Sequence, residues 1–227
     1  MRDDSRGFGL LRSLARGSRL CAKRKRNRRD AIAFRIHECE ELLAMADRTV
    51  SGTYRPEPAR VFVTERPKHR EVHVPAHRDR VVRHLLHDRI ESVFEANFCE
   101  ASFACRRGKG TLAAAKALRR AMWNASRHAH KRVLALQMDV RNFFGFIHKP
   151  TLIELLEPNL RALQGWSDEP VALSPMQLAK VIVAHDPTQH ARRLSPPRLF
   201  AKFPAHKRLG AAGPVRGLPI GNLTSQF

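Results

Sequence analysis

One carboxylate follows a short apolar run, a position where a carboxylate can bind a metal ion. Residues 133–138 are mostly apolar and are followed by Asp139 and Val140, which predicts a buried strand with the carboxylate at its C-terminal end. Such a carboxylate can hold a divalent cation that bridges phosphate oxygens during an in-line displacement. One Asp is too few for a pair of catalytic metals, so an Asp that caps the next turn is the alternative.

Two cations stand one residue apart in a segment with alternating polarity. Lys68 and Arg70 project to the same side if this segment is extended. Two neighbouring cations on one side can bind a triphosphate. The alternative is a solvated hairpin whose charges bind nothing.

Two glycines flank a proline in residues 216–227. Gly217 and Gly221 lie on either side of Pro219, and a polar stretch that contains Gln226 follows. Glycine permits the backbone to approach a ligand closely. The alternative is a plain turn before a helix.

The elements that must position these residues follow from the spacing of apolar side chains. Residues 60–74 alternate around a basic tip at 65–69, which predicts a two-stranded hairpin. Helical spacing predicts a helix over 30–48, with Asp30 as its N-cap, and a second helix over 79–96. A third helix is predicted to begin after a cap at Thr111. Two more are predicted, one from Pro150 through Leu156 and one that begins at Ser174 and Pro175. The Pro-, Arg- and Gly-rich residues 186–216 predict a loop.

The charge of the chain predicts a polyanionic partner. The 227 residues include 42 Lys and Arg against 21 Asp and Glu, a net charge of +21, and nucleic acid is the partner expected at such a charge. A basic surface with no nucleic-acid role is the alternative. Residues 1–29 are the most basic part and predict a disordered arm. An acid-poor leader of this kind is also typical of an organellar transit peptide, although Asp3 and Asp4 do not fit one.

Several classes of protein are excluded by the sequence. It contains no apolar run long enough for a membrane helix and no secretory leader. Four cysteines in a chain of this length do not form a disulfide framework. Cys99 and Cys105 with nearby histidines fit no standard zinc-finger spacing, so we expect free thiols in a reducing cytoplasm.

The order of these features, with three further motifs, resembles that of bacterial reverse transcriptases over about residues 30–227. The likeness is greatest to enzymes of group II introns and diversity-generating retroelements. The further motifs are Gly52-Thr53-Tyr54, Arg78-Asp79-Arg80-Val81-Val82 and Ser102-Phe103-Ala104-Cys105-Arg106-Arg107-Gly108-Lys109-Gly110-Thr111. The resemblance implies an α+β right-hand polymerase fold, with fingers over 30–130 and a partial palm over 131–227.

The resemblance also implies roles for individual residues. Lys68 and Arg70 match fingertip residues that hold the incoming triphosphate, and Phe144 matches an aromatic steric gate beneath the sugar. The remaining matches are Gly221 and Gln226 at the nucleotide, Gly217 beside the template and nucleotide, and Arg106, Arg107 and Lys109 in a segment near the template.

The catalytic metals implied by the resemblance are two Mg²⁺ ions, or Mn²⁺ in their place. Asp139 matches the first catalytic carboxylate and, with Val140, is the expected metal site. Phe146 and His148 stand where the family often has Ser and Asp. The sequence contains no aromatic-x-Asp-Asp motif, so the resemblance predicts a fragment without a thumb, inactive by itself, whose C-terminal half or an accessory protein is missing.

Three functions follow as hypotheses. The first is an RNA-directed DNA polymerase whose partners are an RNA template, a DNA primer or cDNA, and dNTPs. The second is a non-catalytic RNA-binding protein on the same scaffold. The third is an unrelated basic protein of the ribosomal or nucleoid type, in which Lys68, Arg70 and Phe144 serve only charge and packing.

Overall fold

The computed structural model describes residues 7–23, 25–66, 68–161, 163 and 173–220, and their fold is mixed α+β. The helices are α1 (Gly7–Ala22), α2 (Arg29–Ile36), α3 (Glu38–Val50), α4 (His77–Asn97), α5 (Thr111–Ala125), α6 (Phe143–Phe146), α7 (Lys149–Arg161), α8 (Pro175–Ala184) and α9 (Pro197–Lys202), with a 3-10 turn at Ala205–Lys207. The strands are β1 (Arg60–Thr64), β2 (Arg70–Val74) and β3 (Arg192–Arg193). No helix in these described ranges is both long and apolar enough to cross a membrane.

The chain divides into two compact units. The first holds the described residues of 1–91 and 142–225, and the second is formed by residues 92–141. This division differs from the predicted boundary between fingers and palm near residue 130. The assignment of residues 30–130 to fingers and of 131–227 to a palm stays a prediction.

A packed helix replaces most of the predicted disordered arm over residues 1–29. Helix α1 buries Leu10, Leu14 and Cys21, which repeat at helical spacing, and the Ser18 hydroxyl donates a hydrogen bond of 2.6 Å to Glu38 at the start of α3. The cations of α1 lie between these apolar positions, so the segment buries one side and solvates the other. High charge therefore did not prevent this segment from folding.

The predicted helix over 30–48 is two helices, α2 and α3, separated at His37. Asp30 does not cap α2, because the cap position is Arg28 and Asp30 lies in the first turn. Its carboxylate instead accepts hydrogen bonds from Arg60, at 2.7 Å, and from Arg80. It therefore joins α2 to β1 and α4.

The predicted hairpin over 60–74 is confirmed. Strands β1 and β2 pair antiparallel, with Thr64 opposite Arg70 and Arg60 opposite Val74. A third strand, which the sequence did not indicate, adds to the other edge of β1, where Arg60 and Val61 pair parallel with Arg192 and Arg193.

Residues 186–216 fold against this hairpin and are not simply the predicted loop. Phe200 and Phe203, in and after α9, form a buried cluster with Val61 and Val63 of β1. The prolines start short helical turns here, as Pro197 does at the first turn of α9. The aromatic side chains supply the apolar cover that one face of the hairpin needs.

A buried carboxylate joins the start of α4 to the segment before β1. Asp79 is fully buried, and its two oxygens accept hydrogen bonds from the Tyr54 hydroxyl at 2.8 Å and from the Glu57 backbone N–H at 2.9 Å. Burial disfavours the charged form and raises the pKa of Asp79 to about 6. The buried guanidinium of Arg83, one turn further along α4, opposes this shift.

The predicted helix start at Ser174 and Pro175 is confirmed. The Ser174 hydroxyl accepts a hydrogen bond from the Gln177 N–H at 3.2 Å, and the Gln177 side chain accepts one from the Ser174 N–H at 2.7 Å. This reciprocal pair is a capping box. It fixes the start of α8, and α8 buries Leu178 and Ile182.

The shifted pKa of Asp79 predicts an unusual dependence of stability on pH. The folded-state pKa, about 6, lies above the ordinary value of 3.8, so the folded state binds this proton more tightly and gains stability from Asp79 as the pH falls from 7 towards 4. His84 acts in the opposite direction, because burial lowers its pKa to about 4. We expect Asp79→Asn to lose free energy of unfolding more steeply than the parent protein between pH 7 and 4, measured by urea unfolding.

His84→Gln is the matched variant for this prediction, since it removes the opposing group. It should lose less stability than the parent protein over the same pH range. Parallel curves for the parent and Asp79→Asn would show that Asp79 has an ordinary pKa in the folded state.

Candidate functional site

A tight turn presents Phe144 in the first unit. Asn142 has a left-handed backbone, with φ of 50°, and its carbonyl accepts a hydrogen bond from the Gly145 N–H at 3.0 Å. A Cβ atom at position 145 would lie 2.7 Å from Asn142 Nδ2, so a larger residue would displace the Asn142 side chain. The Phe144 ring is half-buried and contacts Phe143 edge to face, with 5.4 Å between ring centroids.

The segment at 215–218 pairs with this turn through backbone hydrogen bonds. Leu218 N–H donates to the Phe144 carbonyl at 2.8 Å, and Gly217 N–H donates to the Ile147 carbonyl at 2.9 Å. Lys149 N–H donates to the Val215 carbonyl at 2.9 Å. Two of the predicted site residues, Phe144 and Gly217, are therefore brought together although 72 residues of sequence lie between them.

Gly217 allows a close approach, as its residue type indicated, but the neighbour is the chain itself. Its φ is +91°, and a Cβ atom there would lie 2.8 Å from Leu209 Cδ1 and 3.4 Å from the Gly145 carbonyl oxygen. The glycine therefore lets three segments meet: the turn after Asn142, the residues around Leu209, and the strand-like residues 215–218.

The β1–β2 hairpin is also hydrogen-bonded to the residues around Leu209. Glu71, one residue after Arg70, accepts a hydrogen bond from the Leu209 N–H at 3.0 Å and lies 3.4 Å from His73 Nε2. Burial would raise the pKa of Glu71, but the His73 ring and the Leu209 N–H outweigh burial and lower it. Lys68 and Arg70 are exposed at the tip, so their charges face solvent while Glu71, the next residue of β2, is held by the Leu209 N–H.

Lys149 is a residue of this region that sequence reasoning missed. Its side chain is buried, and its ammonium donates to the carbonyls of His185 at 3.1 Å and Ala184 at 3.4 Å, at the end of α8. Burial lowers the pKa of Lys149, and the nearby Asp186 opposes that shift. Because a Lys before a proline usually lies at the surface, no sequence signal identified this anchor.

Arg106 has a structural role within the second unit. Its guanidinium donates to Glu95 and to the Cys99 carbonyl, both at 2.9 Å, and lies over the Phe98 ring at 5.2 Å. The guanidinium therefore organises the loop that the resemblance places near the template.

The two other basic residues predicted near the template lie in the same loop. Lys109 donates to the Glu100 carbonyl at 2.6 Å and lies over the Phe103 ring at 5.2 Å. Arg107 is exposed. Thr111, predicted to cap the next helix, is its first residue, and the cap position is Gly110.

The predicted buried strand over 133–138 is wrong. These residues have no regular secondary structure, and Leu134, Leu136 and Met138 are more than 80% exposed. An apolar run becomes a buried strand only when a neighbouring strand takes its backbone hydrogen bonds. Asp139 and Val140 are exposed with the rest of this segment.

The described residues do not assemble the expected magnesium site. No group of three His, Cys, Asp or Glu side chains within the described ranges is placed to hold a metal ion, and Asp139 is an exposed single carboxylate. One carboxylate does not supply the ligand set that a catalytic Mg²⁺ pair requires. Gly221 and Gln226 lie outside the described residues.

Comparison with protein-family models gives no match, and comparison with curated proteins gives no significant one.

Gly217 provides a test of how the three segments are held together. We expect Gly217→Ala to lower the free energy of unfolding by about 1 kcal/mol for its positive φ and by a further ~1–3 kcal/mol for the contact with Leu209. Gly213→Ala is the matched control, because Gly213 has a φ of +97° and open space around its Cβ position. Equal losses in the two variants, measured by urea unfolding, would contradict the tight contact at Gly217.

Proposed function

We propose that this chain forms the nucleotide- and template-binding part of an RNA-directed DNA polymerase. The observation that carries the proposal is the junction of three predicted site segments in one unit. The Phe144 turn bonds to residues 215–218, Gly217 packs on Leu209, and the Leu209 N–H donates to Glu71 beside the tip of the basic hairpin. These segments are distant in sequence, so their meeting requires the fold.

The hairpin tip supplies the charge for a triphosphate. Lys68 and Arg70 are both exposed, and Arg70 begins a strand whose next residue, Glu71, is held by the Leu209 N–H. Fixing one end of a cationic pair lowers the entropy that the pair loses when it binds an anion. An arginine can also contact phosphate oxygens in a bidentate manner.

The Phe144 turn supplies the surface that would contact the sugar. The Phe144 carbonyl is held by the Leu218 N–H at 2.8 Å, so the backbone that carries the ring has little freedom. A rigid aromatic ring beside a sugar excludes a 2′-hydroxyl by steric overlap. Selection of dNTPs over NTPs follows from this position.

These residues support binding and selection of a nucleotide, and the described residues hold no cluster that would bind a metal ion. Asp139 is the one acidic residue of the expected metal site that the sequence provides. Cytoplasmic location belongs to the same proposal, because dNTPs and RNA templates are found there.

A non-catalytic RNA-binding protein is the second candidate, and the charge of the second unit favours it. Residues 101–138 contain nine Lys and Arg and no Asp or Glu. Such a segment binds phosphate backbones whether or not a nucleotide site is present. Salt-dependent RNA binding alone therefore does not separate the two candidates.

A ternary-complex measurement separates them. The protein is bound to an RNA template with a dideoxy-terminated DNA primer in Mg²⁺ buffer, and its dissociation is followed by fluorescence anisotropy after a heparin challenge. The polymerase proposal predicts that the next complementary dNTP, at about ten times its Kd, stabilises the complex about tenfold, whereas a non-complementary dNTP or the matching NTP does not. The second candidate predicts no effect of any nucleotide.

Two double substitutions separate the effect of the dNTP from nucleotide-free binding. Lys68→Ala with Arg70→Ala should remove most of the dNTP effect while nucleotide-free binding changes little. Arg26→Ala with Arg28→Ala removes two other exposed cations and should weaken nucleotide-free binding without changing the ratio between dNTPs. Equal protection by all four dNTPs in the parent protein would overturn the polymerase proposal.

A further inference from the structure

One face of α5 carries an aromatic side chain among cations. Lys116, Arg119, Arg120 and Trp123 follow one another at intervals that place them on one side of the helix. All four are exposed, and the Trp123 side chain is 52% exposed. Exposed apolar surface that is rimmed by polar residues marks interaction sites, and cations border the indole of Trp123 on this face.

The charge around this face is of one sign. The nine Lys and Arg of residues 101–138 have no acidic residue among them. With no carboxylate between them along the chain, Lys116, Arg119 and Arg120 produce a continuous positive potential along α5. The complementary partner is therefore a polyanion.

The turn after α5 holds Trp123 in place. The Trp123 carbonyl accepts hydrogen bonds from the His128 N–H at 2.9 Å and the Ser126 hydroxyl at 3.0 Å. The His128 ring lies beside the Trp123 ring, with 5.4 Å between centroids and 40° between planes. One edge of the indole is thereby supported while much of its surface stays accessible.

This turn has an uncommon backbone. Arg127, His128 and Ala129 have φ values of 49°, 59° and 72°, three consecutive non-glycine residues in the left-handed region. Such residues usually occur singly, because each costs about 1–2 kcal/mol. The turn therefore keeps the His128 ring beside Trp123 at an energetic cost, which fits a surface built for a ligand.

We propose that this face of α5 binds single-stranded RNA, with Trp123 stacked on a base and with Lys116 and Arg119 on the flanking phosphates. Stacking on an aromatic ring needs an unpaired base, because a base in a duplex has both faces covered. The site lies wholly in the second unit. It uses none of the Phe144 or hairpin residues, and it does not rest on the polymerase proposal.

The distribution of side chains favours RNA over an anionic membrane. A helix that lies on a membrane separates its apolar face from its cations. In α5 the exposed Leu112 and Trp123 lie on the same side of the helix as Lys116, Arg119 and Arg120, so apolar and cationic side chains are not segregated. Aromatic rings interleaved with cations are typical of single-strand binding surfaces.

Trp123 can report its own binding. The sequence contains two tryptophans, so the full-length chain with Trp166→Phe has Trp123 as its single indole. A twelve-residue oligouridylate should quench the fluorescence of Trp123, whereas an abasic oligonucleotide of equal length should bind through its phosphates without quenching. Quenching of the same size by both would overturn the stacking.

Substitutions separate stacking from charge. Trp123→Ala should weaken oligouridylate binding roughly 5- to 100-fold, and Trp123→Phe should recover much of the loss. Leu118→Ala is the matched control, an exposed apolar residue of the same helix, and should leave the affinity unchanged. Lys116→Ala with Arg119→Ala should reduce the slope of log affinity against log salt by about 1.4.

Three results would overturn the proposal. The first is no effect of Trp123→Ala on affinity, with circular dichroism showing that α5 is retained. The second is equal quenching of Trp123 by a blunt RNA duplex of the same sequence length. The third is a blue shift of Trp123 emission on phosphatidylserine vesicles with no response to oligouridylate, which would assign the face to a membrane surface.

Discussion

Asp30 accepts hydrogen bonds from Arg60 and Arg80, so a single carboxylate holds α2, β1 and α4 together. In a chain with twice as many basic as acidic residues, helices and strands repel one another unless carboxylates lie between them. Arg78 is placed in the same way, between Glu41 of α3 and Glu57 before β1. Folding of the first unit therefore depends on where its few acidic residues lie, and the cations left over remain on the surface to bind other molecules.

The candidate nucleotide region also depends on where its few acidic residues lie. Glu71 accepts a hydrogen bond from the Leu209 N–H beside the hairpin tip, while the neighbouring Lys68 and Arg70 stay exposed. The region is built mainly from backbone contacts: residues 215–218 bond to the Phe144 turn, and Gly217 lets Leu209 approach. Side chains at the surface of such a frame are free to contact a ligand.

Sequence patterns predicted the elements whose signals are local. The hairpin followed from alternation around a basic tip, and the start of α8 followed from Ser174 and Pro175. Elements that depend on distant partners were not predicted correctly. Phe200 and Phe203 are buried because they pack on Val61 and Val63 of β1. Residues 133–138 form no strand although their composition favours one. At the candidate site, Phe144 and Gly217 were identified singly, but Leu209, Glu71 and Lys149 carry no sequence signal, because their roles arise from packing.

The side-chain oxygen of Ser195 accepts a hydrogen bond from the Val63 N–H at 3.0 Å, across 132 residues of sequence. Beside it, β3 covers the start of the same edge of β1. The hairpin therefore cannot complete its edge or its apolar cover when it leaves the ribosome. At 5–20 residues per second, roughly 7 to 26 seconds pass before Ser195 is synthesised. During that interval the edge of β1 is open to other strands, so nascent chains of this protein are expected to need a chaperone or low crowding until residues 192–203 emerge.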